Sequence, residues 1–296
     1  MVVISLVHDI KEAEALWREI SPNKTIFDDW DFRYAFYKYE PCPLHFYVAK
    51  EDGKLVGLLP LQFNKDWDGL EFFAEEPCEE NRAFIKDGRE DIIPKLYSAI
   101  KGRAKFYDIS GEDKFTCALP LEDYKYVLPL DGLKDFNDFL ATRLSTKRRH
   151  SLAKEILSVD SLKPKYAVNE WADFEKLIIL NVNSFAKESY LKTKDDQAPW
   201  RELIKKTFNW RLISIQIAGE TQAVSLSVNY QGNWHYLLTG VNFQSFPGLG
   251  KYLTKVNIEE AIKDGAKYFD AGLGDCGWKD LWHFDRLSQY EFINCQ

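Results

Sequence analysis

Residues 261–282 read AIKDGAKYFDAGLGDCGWKDLW. The first ten have a counterpart, AIKGRAKFYD at 99–108, at an ungapped offset of 162 with six of ten positions identical and two aromatics exchanged. Asp113 and Asp275 fall at the same offset. Each copy predicts a helix ending near a glycine, then a short strand ending at an Asp. A weaker echo lies upstream. LHFYVAKEDGKLVGLLPLQF (44–63) and WRLISIQIAGETQAVSLSVNY (210–230) both read as strand, tight turn, strand, with turns at Asp52-Gly53 and Gly219-Glu220. The turn glycines Gly53 and Gly219 are offset by 166. The shared order of hairpin, helix and strand points to a duplication. Two α/β domains of one plan are expected, at 1–130 and 131–296.

Gly272, Gly274 and Gly277 spell GxGxxG after an apolar run. A dinucleotide fingerprint needs a following helix, a second parallel strand and an acid about twenty residues on. Only 19 residues follow Gly277, so no such unit fits. The glycines instead predict a sharp turn after the strand ending at Asp270. That turn is expected to project Asp275, Trp278 and Lys279 over the sheet edge, where ligand groups gather in α/β folds.

The chain has 296 residues and a net charge of −7, which argues against wholesale affinity for DNA, RNA or anionic membrane. Its five cysteines are widely spaced without a CxxC, so neither a disulfide framework nor a zinc site is expected. Cys276 and His283 lack a third orienting group and make a poor nucleophile pair. The N-terminus lacks a signal-peptide pattern, and no apolar stretch approaches the ~20 residues of a membrane span. A cytoplasmic protein is expected.

Residues 133–157 read as one helix, with Phe136, Phe139, Leu140 and Leu144 at helical spacing. Arg143, Lys147, His150 and Lys154 then share a face, flanked by Arg148 and Arg149, with no acid from 143 to 154. Either a solvated face or an anion site follows. A strand is expected at 163–168, helices at 170–187 and 199–208, and a three-stranded meander at 210–218, 221–230 and 233–242. Pro247 opens the next helix and Gly265 closes it. Gly248 and Gly250 in its first turn, beside Lys251, suggest an anion seat built from free N–H groups and the positive dipole end.

The segments RLSTKRRHSLAKEI (143–156), FPGLGKYL (246–253) and FDAGLGDCGWKDLW (269–282), in this order of elements, resemble the tandem acyl-CoA N-acyltransferases of the GNAT superfamily. The resemblance is to the branch labelled CelD-like acetyltransferases, which is related to the Fem-type peptidoglycan transferases. It spans most of the second half; the first half matches more loosely, through residues 44–63. Two departures stand out. Trp278-Lys279 replaces the family's Tyr-Lys, and Gln244 lies four residues before Gly248, one more than in the usual phosphate loop.

The resemblance implies an α+β fold in which each domain is a mixed, mostly antiparallel sheet flanked by helices. It implies acyl-CoA (acetyl-CoA or longer) as co-substrate and no metal. Leu238, Thr239 and Gly240 would pair with the pantetheine amides, and Gly248, Leu249, Gly250 and Lys251 would seat the pyrophosphate. The first half has no PGxG before its helix at 90–101, so only the second copy is expected to hold the cofactor. An amine attacking a thioester needs a base, a held oxyanion and a protonated leaving group. Asp270, Asp275, His235 and Tyr236 are the candidates near the cleft, with Tyr252 as proton donor. The plainer roles stay open: Asp270 as a turn cap, His235 and Tyr236 as packed strand residues. Arg148, Arg149, Trp278 and Lys279 are candidates for holding the acceptor, a small-molecule amine or an amino sugar of a cell-envelope precursor. The rival readings are a Fem-like transferase using aminoacyl-tRNA and a binding protein without catalysis.

Overall fold

The computed structural model describes residues 1–112 and 114–295. Asp113, half of the Asp113/Asp275 correspondence, lies outside the described residues. The chain divides into two compact units, Met1–Lys125 with Leu287–Gln296, and Tyr126–Arg286.

The first unit opens with β1 (Val2–Val7), α1 (Ile10–Ile20), α2 (Trp30–Tyr37), β2 (Phe46–Glu51) and β3 (Lys54–Leu59). Next come β4 (Leu61–Asn64), β5 (Gly69–Phe72), β6 (Phe84–Ile85), α3 (Ile93–Ser98), β7 (Ala104–Ser110) and β8 (Leu121–Pro129). Strands β1, β2, β3 and β6 form one sheet in that order. The β2–β3 turn is the expected one: Glu51 faces Lys54, and Asp52 and Gly53 take φ of 50° and 78°. Such a two-residue loop needs left-handed backbone at both positions. Leu58, Phe46 and Trp17 bury themselves on one side, and Ala49, Ile92 and Leu96 on the other.

In the second unit, α4 (Phe136–Arg143), α5 (Thr146–Asp160), β9 (Lys165–Val168), α6 (Phe174–Phe185) and α7 (Lys194–Leu203) lead into β10 (Trp210–Ile217), β11 (Glu220–Tyr230) and β12 (Asn233–Val241). Then follow α8 (Leu249–Lys263) and β13 (Tyr268–Leu273); the last strand, β14 (Asp285–Asn294), starts at the end of this unit and lies mostly in the first. The sheet order is β13-β12-β11-β10-β9, antiparallel except for the parallel β12–β13 pair. Both units show the mixed, mostly antiparallel architecture expected from the sequence.

Several boundaries differ from expectation. The single helix over 133–157 is two helices, because Leu144 is extended (φ −107°, ψ 138°) and Ser145 starts the second. Leu144 tucks into the core instead of continuing the helix. Helix α7 begins at Lys194, not 199, because Thr193 and Asp196 form a reciprocal capping box. The β10–β11 turn is Ala218-Gly219, with φ of 54° and 85°, one residue earlier than read. Residues Leu287–Gln296 belong to the first unit, not to a domain at 131–296. The cause is apolar pairing: Gln289 to Asn294 run antiparallel to β7, and Phe292 stacks on Phe106 at 5.3 Å. Among the described residues no helix is long and apolar enough to cross a membrane.

Candidate active site

In the second unit, β12 and β13 pair over three rungs only: Asn233–Tyr268, Trp234–Phe269 and His235–Asp270. Beyond the last rung β12 continues with β11 as far as Val241. The two strands therefore fork at His235 and Asp270. A bulge sits at the fork, since Leu226 faces Leu238 and Ser227 faces Tyr236, leaving Leu237 extra. Bulges of this kind re-aim strands beside active sites.

His235 is 1% exposed and Asp270 5% exposed. Nδ1 of His235 lies 2.9 Å from Oδ2 of Asp270, while Oδ1 of Asp270 accepts the Gly272 N–H at 3.0 Å. Asp270 thus holds the turn, the plainer of its two expected roles, and also faces a histidine. Between the sheet and α8, Asn257 donates to Ser225 Oγ at 2.8 Å and accepts from Ser227 Oγ at 3.0 Å, with all three fully buried. A buried polar group without such partners costs about 1–3 kcal/mol, so this trio fixes α8 in register on β11.

Gly272, Gly274 and Gly277 take φ of 76°, 63° and 76° as a sharp turn needs, but β13 runs on to Leu273, past its expected end at Asp270, so the turn follows Leu273. Asp275 caps the following turn, accepting the Asp280 N–H at 2.7 Å. Trp278 packs edge-on against Trp282 and Phe284 at 5.4 and 5.6 Å. Lys279 corrects the expectation that it faces a substrate. It is 4% exposed, and its ammonium donates to the carbonyls of Gly272 (3.1 Å) and Leu273 (2.6 Å). The ring of Tyr126 lies 5.5 Å away. A charge held by two carbonyls and an aromatic face can stay buried, and here it ties the turn to the end of β13.

The residues read for the cofactor seat have partners within the chain. Gly248 caps α8 with φ 87°, and a Cβ there would lie 3.2 Å from the Glu155 carbonyl. At Gly250 a Cβ would lie 2.7 Å from the Phe243 ring. Both glycines thus answer to close packing within the protein. Lys251 pairs with Glu155 of α5. On β12, the Thr239 carbonyl accepts Asn181 Nδ2 at 2.6 Å, and Val241 N–H donates to Ser184 Oγ at 3.2 Å. Leu238 is buried, and Gly240 lies under the backbone of α6. These residues do not fit acyl-CoA in the manner the resemblance implies.

The tyrosines also have partners. Burial holds the Tyr236 phenol well above its ordinary value, with a bond to Thr254. Burial and then Asp160 push Tyr252 up to about 12, with its phenol bonded to Asp160. Both rings stay protonated at neutral pH. Arg148 is exposed and Arg149 half-buried on α5, while Arg143 sits on α4 and pairs with Asp285 at 3.0 Å. The break at Leu144 therefore splits the single basic face. Among the described residues no group of three or more His, Cys, Asp or Glu side chains is placed to hold a metal ion.

Asn181, Ser184 and Asn257 escaped the sequence reading. The signal was present for the first two: polar residues three apart in the apolar helix IILNVNSF (178–185).

The first unit carries the same fork in filled form. Strands β5 and β7 pair in parallel at Leu70–Ala104, and Asn81 then occupies the place beside Ile109. Arg33, 3% exposed, clamps that segment through Asn81 Oδ1 (2.7 Å) and the carbonyls of Phe27, Phe73 and Glu80.

No curated protein matches the chain in sequence. Among solved structures, FemX aligns with a TM-score of 0.62 at 11% identity over 99% of this chain and 97% of that one. L-PGS from Bacillus licheniformis aligns with a TM-score of 0.59 at 13% identity, covering 98% and 93%. A tandem GNAT protein of the clavulanic acid biosynthesis pathway gives 0.51 at 11% identity, covering 99% and 98%. At these identities the likeness is one of fold. Residues 146–280 match the family model described as an acetyltransferase (GNAT) domain. That segment, which contains α5, the fork and the glycine turn, is similar to GNAT acetyltransferase domains.

Proposed function

We propose that the chain transfers an activated acyl group to the nitrogen of a small-molecule or amino-sugar amine at the fork between β12 and β13. The observation that carries this reading is the buried His235–Asp270 pair on the last rung, inside the GNAT-matched segment. A protonated amine is no nucleophile. Asp270 orients the imidazole, and the pair takes up the proton that the amine sheds. The nitrogen then bonds to the acyl carbon, and the carrier leaves with a proton. Arg148 and Arg149 offer charge, and Trp278 an aromatic face, to a sugar or anionic acceptor. The first unit, its fork filled, acts without a donor of its own. Five free cysteines suit a reducing, cytoplasmic setting. The test is mass-spectrometric detection of acylated amine from a panel of acceptors. Wild type should give product, and Asp270→Asn should give it far more slowly. Equal rates would remove the pair from the reaction.

A second reading, transfer from an aminoacyl ester carried on tRNA, is supported by the exposed Lys147, Arg148, His150 and Lys154 of α5. A steep dependence of RNA binding on salt would favour it.

A further inference from the structure

We infer that α6 closes the β12 edge to the pantetheine chain of an acyl-CoA donor, and that Asn181 and Ser184 are the residues that close it. An amide-bearing chain adds to a strand edge by taking up its unpaired N–H and C=O groups. Past the fork these groups belong to Thr239 and Val241. Asn181 holds the Thr239 carbonyl at 2.6 Å. Ser184 Oγ accepts the Val241 N–H at 3.2 Å and lies 2.7 Å from the Val241 carbonyl.

The closure is built in. Asn181 is 6% exposed, and its Oδ1 accepts from Ser189 Oγ at 2.6 Å, so its amide cannot swing away without breaking the bond that a buried hydroxyl donates. Gly240 lets the helix backbone lie directly on the strand: a Cβ there would come within 2.6 Å of Asn181 N and 2.7 Å of the Leu177 carbonyl. Leu177 and Ile178 anchor the helix in the core. The donor is then an acyl ester or thioester whose carrier docks without pairing to β12. The bond change is the ordinary one: C–N forms, the acyl C–O or C–S bond breaks, and the proton lost by the amine leaves with the carrier.

As donor selection this role rests on the acyl-transfer reading; as geometry it stands on the β12 edge alone. The test is amide hydrogen exchange across 238–242 on the full chain, with and without millimolar acetyl-CoA or CoA, beside calorimetric titration. Wild type should show no ligand-induced protection at Val241, whether or not heat is released elsewhere. Saturable binding that protects these amides would overturn the closure. Without ligand, Ser184→Ala, and separately Asn181→Ala/Ser184→Ala, should speed exchange at Val241 by roughly tenfold, the worth of one hydrogen bond. Unchanged exchange in a folded variant would equally overturn it. Amine acylation is scored in a separate assay, so failure of that reading leaves the exchange result standing, and the reverse.

Discussion

His235 and Asp270 face each other at 2.9 Å on the last rung of a parallel strand pair, both buried. The charge of Asp270 is placed where the strands part. Asp270→Asn keeps the shape and removes the charge, so the rate of amine acylation should fall by roughly 10²-fold. A rate–pH profile distinguishes a proton-handling role from a structural one. The acidic limb, where a base is lost to protonation, should change shape in the variant, and a uniformly scaled profile would speak for structure alone.

Gly240→Ala should destabilise the second unit. The new methyl meets backbone atoms of α6 at 2.6 and 2.7 Å, which cannot rotate aside. Overpacking of this kind costs about 1–3 kcal/mol. A urea midpoint lowered with little change in slope is the expected outcome.

Lys279→Met keeps the stem and removes the charge that holds the Gly272 and Leu273 carbonyls. The loss should be about 2 kcal/mol, since bonds from charged donors are the stronger ones. Faster proteolysis within 272–282 would localise the effect to the turn. A resistant turn with intact stability would show that the aromatic cluster of Trp278, Trp282 and Phe284 suffices.

In the first unit, burial pushes the Glu75 carboxyl from its ordinary 4.5 up to about 8 and Asp108 from 3.8 up to about 7, with Glu122 adding to Asp108. A raised acid binds its proton more tightly in the folded state. The unfolded chain ionises first as pH rises, so stability declines between about pH 4.5 and 8 and levels off above. Glu75→Gln removes one such group. Its denaturation midpoint should fall less than that of wild type between pH 5 and 8. Parallel curves would place the dependence elsewhere.

Much of the architecture is local in origin and was legible in the sequence. The repeat at 99–108 and 261–270, the Asp52-Gly53 turn and the glycine turn that ends β13 depend on backbone freedom and period, which a few neighbouring residues dictate. So does the meander, whose tight turns are set by Gly219 and Gly232. The placement of His235 opposite Asp270 was not local. It depends on the register of two strands separated by α8, and only the folded sheet supplies it.

The sequence by itself determined two α/β halves of one plan, a sharp glycine turn at the end of β13, and a GNAT resemblance in the second half. Tertiary structure alone decided what the remaining polar residues do. Gly248, Gly250, Lys251 and Lys279 look like ligand groups because phosphate seats and tight internal packing demand the same residue types: small backbone and positive charge. Their partners, Glu155, Phe243 and the carbonyls of Gly272 and Leu273, include atoms almost a hundred residues away. A chain read in order cannot tell whether a lysine's charge will be met by a ligand or by its own backbone, because burial is set by contacts that only the fold creates.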